Sequence, residues 1–278
     1  MTDPPTPAPL RVAVAQAVAV AGDVATNART AAQLVRSAAD QDARIVVLPE
    51  LFLPGYDMAA LAADPGGCDI TDLADVRLDP LREVSSGVIV VVGASAKLAG
   101  RRTIALLTVA DGVVAHAYDK QHLWGSEAEL FSSGGRGATL MVDGWPLALA
   151  VCYDGCFPEH ARAAADDGAL GYLVPAAYVV GSEHRRDVYY AARALDNGMY
   201  VAVAGLTGRC GGSDFSGGSA VYDPEGRALV HLASGDSDVG VSELDAAHLA
   251  SVRAAHRMGR DRLASLGRRS LLTPASSA

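Results

Sequence analysis

The feature that most limits the fold of this chain is a series of short apolar runs set between stretches of helical periodicity. Leu10 to Gln16, Arg44 to Leu48, Val88 to Ala94 and Thr103 to Val109 read as strands. So do Leu147 to Val151, Tyr172 to Val174, Tyr200 to Ala204 and Ser219 to Tyr222. Continuously apolar strands have to be covered on both faces, which points to sheets flanked by helices. Asp23 can cap a helix reaching about Asp40, with Ala31, Leu34, Val35 and Ala38 on one face. Pro158 and Gly168 suit the first turn and the end of a second helix. Ser182 can cap a third, whose buried stripe would be Val188, Ala191, Ala192, Leu195 and Met199. Asp111-Gly112 is a hairpin signal. Segments 10–50 and 147–176 share one outline: a short strand, a helix, then a strand stopped by proline. That predicts two related halves rather than a solenoid. With no interdomain linker in view, residues 10–272 are expected to form a single domain. The Pro/Ser/Ala-rich stretches 1–9 and 273–278 are expected to be disordered tails.

Composition narrows the function classes. The net charge is −9, which argues against a sequence-independent nucleic-acid binder and against an electrostatic membrane-surface protein. The longest apolar runs fall far short of the roughly 20 residues that cross a bilayer. The N-terminus shows no secretory signal pattern. Four cysteines, Cys68, Cys152, Cys156 and Cys210, form no CxxC pair, so neither a disulfide scaffold nor a structural zinc site is expected. These features read as a cytoplasmic, reduced protein.

Three segments carry residue types that could do chemistry. Glu50 follows an apolar strand directly; a poorly solvated carboxylate there has a raised pKa and suits a general base, though taken alone such a strand-end carboxylate more often only caps a neighbouring amide. Lys120 ends another strand, where an ammonium can neutralise a thiolate or an oxyanion, but a lone lysine is commonly a surface group. His122, beside it, reads as structural for want of an orienting partner. Cys152 sits between a strand and a turn into a helix, the mechanical order of a nucleophile elbow, although a free cysteine is usually a small buried hydrophobe.

Together the segments Leu48-Pro49-Glu50 with Pro54-Gly55-Tyr56, Asp119-Lys120-Gln121-His122-Leu123, and Cys152-Tyr153-Asp154 with Phe157-Pro158-Glu159 and Arg162 resemble the nitrilase superfamily of carbon–nitrogen hydrolases. Supporting segments are Leu173-Val174-Pro175-Ala176, Ala192-Arg193-Ala194 with Asn197, and Phe215-Ser216-Gly217-Gly218-Ser219 with Asp223-Pro224. The resemblance covers about residues 11–272. It implies a four-layer α-β-β-α sandwich and a catalytic triad of Glu50, Lys120 and Cys152. It also implies a second glutamate, for which spacing to Phe131 and Gly134 favours Glu127 over Glu129. The implied reaction runs through a cysteine thioester, with Lys120 and the Tyr153 amide on the oxyanion and no metal or organic cofactor. Cys-Tyr-Asp resembles the amidase and carbamoyl-type branches more than true nitrilases. A small linear amide is therefore the favoured substrate and an N-carbamoyl amine or amino acid the second. A non-catalytic interaction protein on the same fold is disfavoured because all three triad positions are filled. The resemblance further implies a homodimer or larger homo-oligomer, with the basic stretch Arg253 to Arg269 helical and reaching a partner subunit.

The remaining polar residues carry smaller expectations. Tyr56, Tyr153 and Tyr178 are candidates to line the pocket. Asp154 is expected to fix the elbow backbone, Cys156 to pack in or under the first helical turn, and Asn27 and Asn197 to act as caps or turns. Glu159 and Arg162 are expected to form an i,i+3 ion pair. Gly205 and Asp119 depart from the family pattern (asparagine and a basic residue are common there), and so does the His184-Arg185-Arg186-Asp187 segment.

Overall fold

The computed structural model describes residues 7–272; residues 1–6 of the expected N-terminal tail and the whole expected C-terminal tail, 273–278, lie outside that range. Two large sheets are built in sequence order. The first holds β1 (Leu10–Gln16), β2 (Ile45–Val47), β3 (Asp69–Ile70), β4 (Ile89–Leu98), β5 (Arg101–Ala110) and β6 (Val113–Asp119). The second holds β7 (Ala138–Val142), β8 (Trp145–Leu149), β9 (Gly171–Ala176) and β10 (Tyr200–Gly205). A separate hairpin, β11 (Thr207–Cys210) with β12 (Ser213–Ser216), follows. Strands β13 (Ala220–Tyr222) and β14 (Ala228–His231) complete the second sheet, and β15 (Asp238–Leu244) returns to the first.

The strand orders are β15-β1-β2-β4-β5-β6 and β14-β13-β10-β9-β8-β7. Each sheet has three parallel strands at its centre, β1, β2 and β4 in one and β8, β9 and β10 in the other. Antiparallel strands flank them on both sides. This is the two-half pattern anticipated from segments 10–50 and 147–176.

Alternation along β1 shows how the layers form. Val12 and Val14 join the core between the sheets, with Leu147 and Leu149 of β8 and Ala202 of β10. Ala13 and Ala15 point the other way, into a core shared with helix α1 (Val24–Ala39). Asp23 caps α1 as expected, accepting from the Thr26 amide at 2.9 Å, and Ala31, Leu34, Val35 and Ala38 are all buried. Short helices α2 (Met58–Ala63), α3 (Pro65–Cys68) and α4 (Asp79–Val84) follow, and α5 (Glu127–Leu130) leads toward the second sheet. Helices α6 (Pro158–Asp166) and α7 (Glu183–Asn197) cover that sheet's outer face. The order of layers is therefore α-β-β-α. Helices α8 (Ala246–Ala255) and α9 (Met258–Asp261) close the described chain.

Four local expectations change. The stripe expected to bury α7 does so only in part: Met199 is buried and Ala191 packs against the core, but Val188 and Leu195 are about half exposed, and the inward face of the helix carries Arg186, Tyr190, Arg193 and Ala194. Arg162 donates to the Asp196 carbonyl at 2.6 Å instead of pairing with Glu159. Asn27 is no cap: it is fully buried within α1, where it bonds Val20 and the Leu53 carbonyl. The basic C-terminal stretch is helical only to Asp261, and residues 262–272 carry no helix.

Candidate active site

The three expected residues arrive at one place, two of them behind the central parallel strands β2 and β8 and the third behind the antiparallel edge strand β6. Glu50 lies three residues past β2, Lys120 directly follows β6, and Cys152 lies three residues past β8. Carboxyl ends of parallel strands are where α/β sheets place their ligand sites. Gly93 in β4 makes room for the Glu50 loop: a Cβ there would stand 2.4 Å from the Leu51 amide nitrogen and 2.7 Å from Glu50 Cα. Nothing in the sequence pattern singles Gly93 out, since its role is a close approach between segments distant along the chain.

Lys120 is fully buried and its ammonium is held by two carboxylates. Nζ lies 2.6 Å from Glu50 Oε1, and 2.8 and 2.7 Å from Glu127 Oε1 and Oε2. Glu127 is saturated, because Oε1 also accepts from the Tyr56 hydroxyl at 2.5 Å and Oε2 from the Trp124 amide at 2.7 Å. Glu129 is exposed, so the second glutamate of this cluster is Glu127. Glu50 is different. Its Oε2 is buried with no hydrogen-bond partner among the described residues, and the Cys152 thiol is close enough for the two groups to perturb each other's ionisation.

Burial dominates the electrostatics. Loss of solvent raises the Glu50 pKa to about 7, against the pull of Lys120 and with the push of Glu127. The same desolvation would lower Lys120, but the negative charges of Glu50, Cys152 and Glu127 outweigh it and its pKa is raised. Burial and the charge of Glu50 hold the Cys152 thiol well above its usual range, while Lys120 and the Ala177 amide pull the other way. Cys152 thus rests as a thiol, beside a carboxyl group whose Oε2 has no hydrogen-bond partner among the described residues.

Cys152 opens a short 3₁₀ turn, Cys152–Cys156, with a positive φ of 42°, and Leu51 after Glu50 has φ 47°. Each such non-glycine residue costs on the order of 1–3 kcal/mol and persists only when its surroundings fix it. Asp154 supplies part of that support, as expected. Fully buried, it accepts from the Val151 amide at 3.0 Å, the Tyr118 hydroxyl at 2.8 Å and the His122 amide at 2.8 Å. His122 also sets Nδ1 2.8 Å from Asp154 and stacks on Phe157, so it has the orienting partner that the sequence did not show. The Tyr153 N–H finds no acceptor among the described residues.

A cavity of about 490 Å³ opens onto Cys152. Tyr56, Trp124, Tyr153, Tyr178 and Phe215 form part of its wall, so all three candidate pocket tyrosines face it. Cys156 lines it as well, 3.4 Å from the Tyr178 hydroxyl, where the sequence suggested packing in or under the helical turn.

Comparison with known proteins places this geometry. A family model described as carbon-nitrogen hydrolase matches residues 11–254. An (R)-stereoselective amidase from a Pseudomonas species is 32% identical over 286 residues, covering 96% of this chain and all of that protein. A deaminated glutathione amidase from Escherichia coli O157:H7 is 32% identical, covering 72% of this chain and 78% of that one. A solved mutant of the amidase from Nesterenkonia sp. AN1, with the acetamide moiety of fluoroacetamide added covalently at its active-site cysteine, is 29% identical. It superposes with a TM-score of 0.77, covering 94% of this chain and 98% of that one. With the matched segment running over most of its length, this chain belongs to the carbon–nitrogen hydrolase family.

Proposed function

We propose that the protein hydrolyses the C–N bond of a small linear amide through a thioester on Cys152. The observation that carries this reading is the division of labour on Glu50: one oxygen is held by Lys120 and the other is free beside the thiol. A carboxylate so placed takes the Cys152 proton as sulfur attacks the amide carbon. The oxyanion that develops is met by Lys120 and by the unpaired Tyr153 N–H. Glu50 passes the proton to the leaving nitrogen, ammonia or an amine departs, and the acyl group stays on sulfur. Glu50 then draws a proton from water, which attacks the thioester and releases the carboxylic acid and the thiol. Glu127, with all its acceptor positions in use, orients Lys120 rather than the substrate. The amidases among the relatives support the amide as substrate.

Ammonia release measured across amides, ureides and nitriles tests the reading. Linear amides should turn over, and Cys152→Ala should turn over nothing. Mass spectrometry of wild-type enzyme quenched during turnover should find an acyl adduct on Cys152, and Glu50→Gln, which lacks the group that takes and returns the proton, should form it far more slowly. Turnover of nitriles or ureides alone would overturn the choice of substrate. No turnover at all, together with a Cys152 that resists alkylation, would overturn the enzyme reading.

A further inference from the structure

We propose that Tyr190 and Arg193 of α7 are positioning residues that aim the Tyr153 N–H into the cavity; the inference rests on that N–H being an oxyanion donor. The Gly155 and Cys156 carbonyls come last in a short 3₁₀ turn and have no partner within it, and they and the Cys152 carbonyl receive donors from one face of α7. The Tyr190 hydroxyl donates to the Cys152 carbonyl at 3.1 Å. Arg193, three residues on and so on the same side of the helix, donates from Nε to the Gly155 carbonyl at 3.0 Å and from Nη2 to the Cys156 carbonyl at 3.1 Å. Both side chains are buried. The Tyr190 ring is seated against the turn itself: a Cβ on Gly155 would stand 2.5 Å from its Cε1.

Peptide planarity turns this anchorage into aim. In a trans peptide the C=O and the following N–H point in opposite directions. Holding the Cys152 oxygen toward α7 therefore fixes the Tyr153 N–H on the opposite side, where it has no acceptor within the described chain. The anchoring hydroxyl is itself oriented. Tyr190 has one proton and gives it to the Cys152 carbonyl, so Tyr178, 3.2 Å away, donates to Tyr190, and the Cys156 thiol, 3.4 Å from Tyr178, donates to Tyr178. The chain of donors runs one way, from Cys156 to the peptide bond of the nucleophile. The same arrangement accounts for the inverted face of α7: its inward side carries a tyrosine and an arginine because they hold this turn.

Tyr190→Phe keeps the ring and removes the bond, so it separates aim from packing. Two reactions of the same sulfur are compared. Amide hydrolysis develops an oxyanion; alkylation of Cys152 by iodoacetamide develops none there. The expected result is a fall in kcat of about ten- to a hundredfold, with KM within about threefold, the ascending pH limb unmoved, and the alkylation rate and thermal midpoint close to wild type. Unchanged hydrolysis would overturn the proposal, and so would an equal fall in hydrolysis and alkylation, which would mark a disordered elbow. Arg193→Lys, which retains one donor, should fall between wild type and Arg193→Met. If wild type itself hydrolyses no amide, the parent reading fails instead, and the two failures are distinguishable.

Discussion

Glu50 and Lys120 share a hydrogen bond of 2.6 Å with no exposure of either side chain, and the far oxygen of the same carboxylate is left without a partner. That asymmetry sets how the reaction should respond to pH. Glu50 accepts a proton only when ionised. Burial raises its pKa to about 7, so the active fraction should grow as pH rises, with kcat/KM climbing through a midpoint near 7. Glu50→Gln should remove that limb and lower kcat by about 10²–10⁴. A limb lying near pH 4, in the range of an ordinary carboxylate, would contradict the assignment.

Lys120 also neutralises two buried carboxylates, so its removal should be felt in stability as well as rate. Lys120→Met leaves Glu50 and Glu127 without their cation, a change that typically costs about 3–5 kcal/mol. Glu127→Gln leaves one ion pair and should cost less. Urea denaturation of both variants at neutral pH, followed by far-UV circular dichroism, gives the comparison. Equal stability of Lys120→Met and wild type would show that the cluster is not ionised as described.

Gly93→Ala should damage the site from behind. The added methyl meets the Leu51 and Pro49 backbone at 2.4 Å, so the loop bearing Glu50 has to move. Overpacking of this kind costs about 1–3 kcal/mol, and hydrolysis should fall further than stability explains. Gly135→Ala, where an added Cβ meets nothing within 4 Å, is the matched control. Unaltered kinetics in Gly93→Ala would mean the loop accommodates the methyl.

Much of the site was legible because its members sit at strand ends, where a local pattern shows them. Glu50, Lys120 and Cys152 each directly follow or closely trail an apolar run. The rest depended on distance along the chain. Strand β15 pairs with β1, Leu244 against Leu10, and neither segment hints at the other. The periodicity of α7 misled for a physical reason: an apolar stripe marks the buried face only when burial is the helix's sole task, and the inward face of α7 instead bonds the Cys152 turn through Tyr190 and Arg193. Asp154 was readable as a backbone support, but its partners Tyr118 and His122 become visible only when β6 and the turn meet.

The displaced stripe leads to a prediction about assembly. Val188 and Leu195 are 52% and 49% exposed, seven residues apart on the outer side of α7. The homodimer that the resemblance implies would bury them if this face carries the interface. Light scattering should report a dimer, and Val188→Glu with Leu195→Glu should yield a monomer. A monomeric wild type would exclude that arrangement.

Part of the cavity wall comes from other parts of the chain than the reacting groups. Glu50, Lys120 and Cys152 stand at or close behind strand ends, whereas Tyr56, Trp124 and Tyr178 come from connecting loops and Phe215 from the separate β11–β12 hairpin. Substitutions at Trp124, Tyr178 or Phe215 can therefore change which acyl groups enter while leaving Glu50, Lys120 and Cys152 in place, whereas Tyr56, bonded to Glu127, ties the wall to the charged cluster.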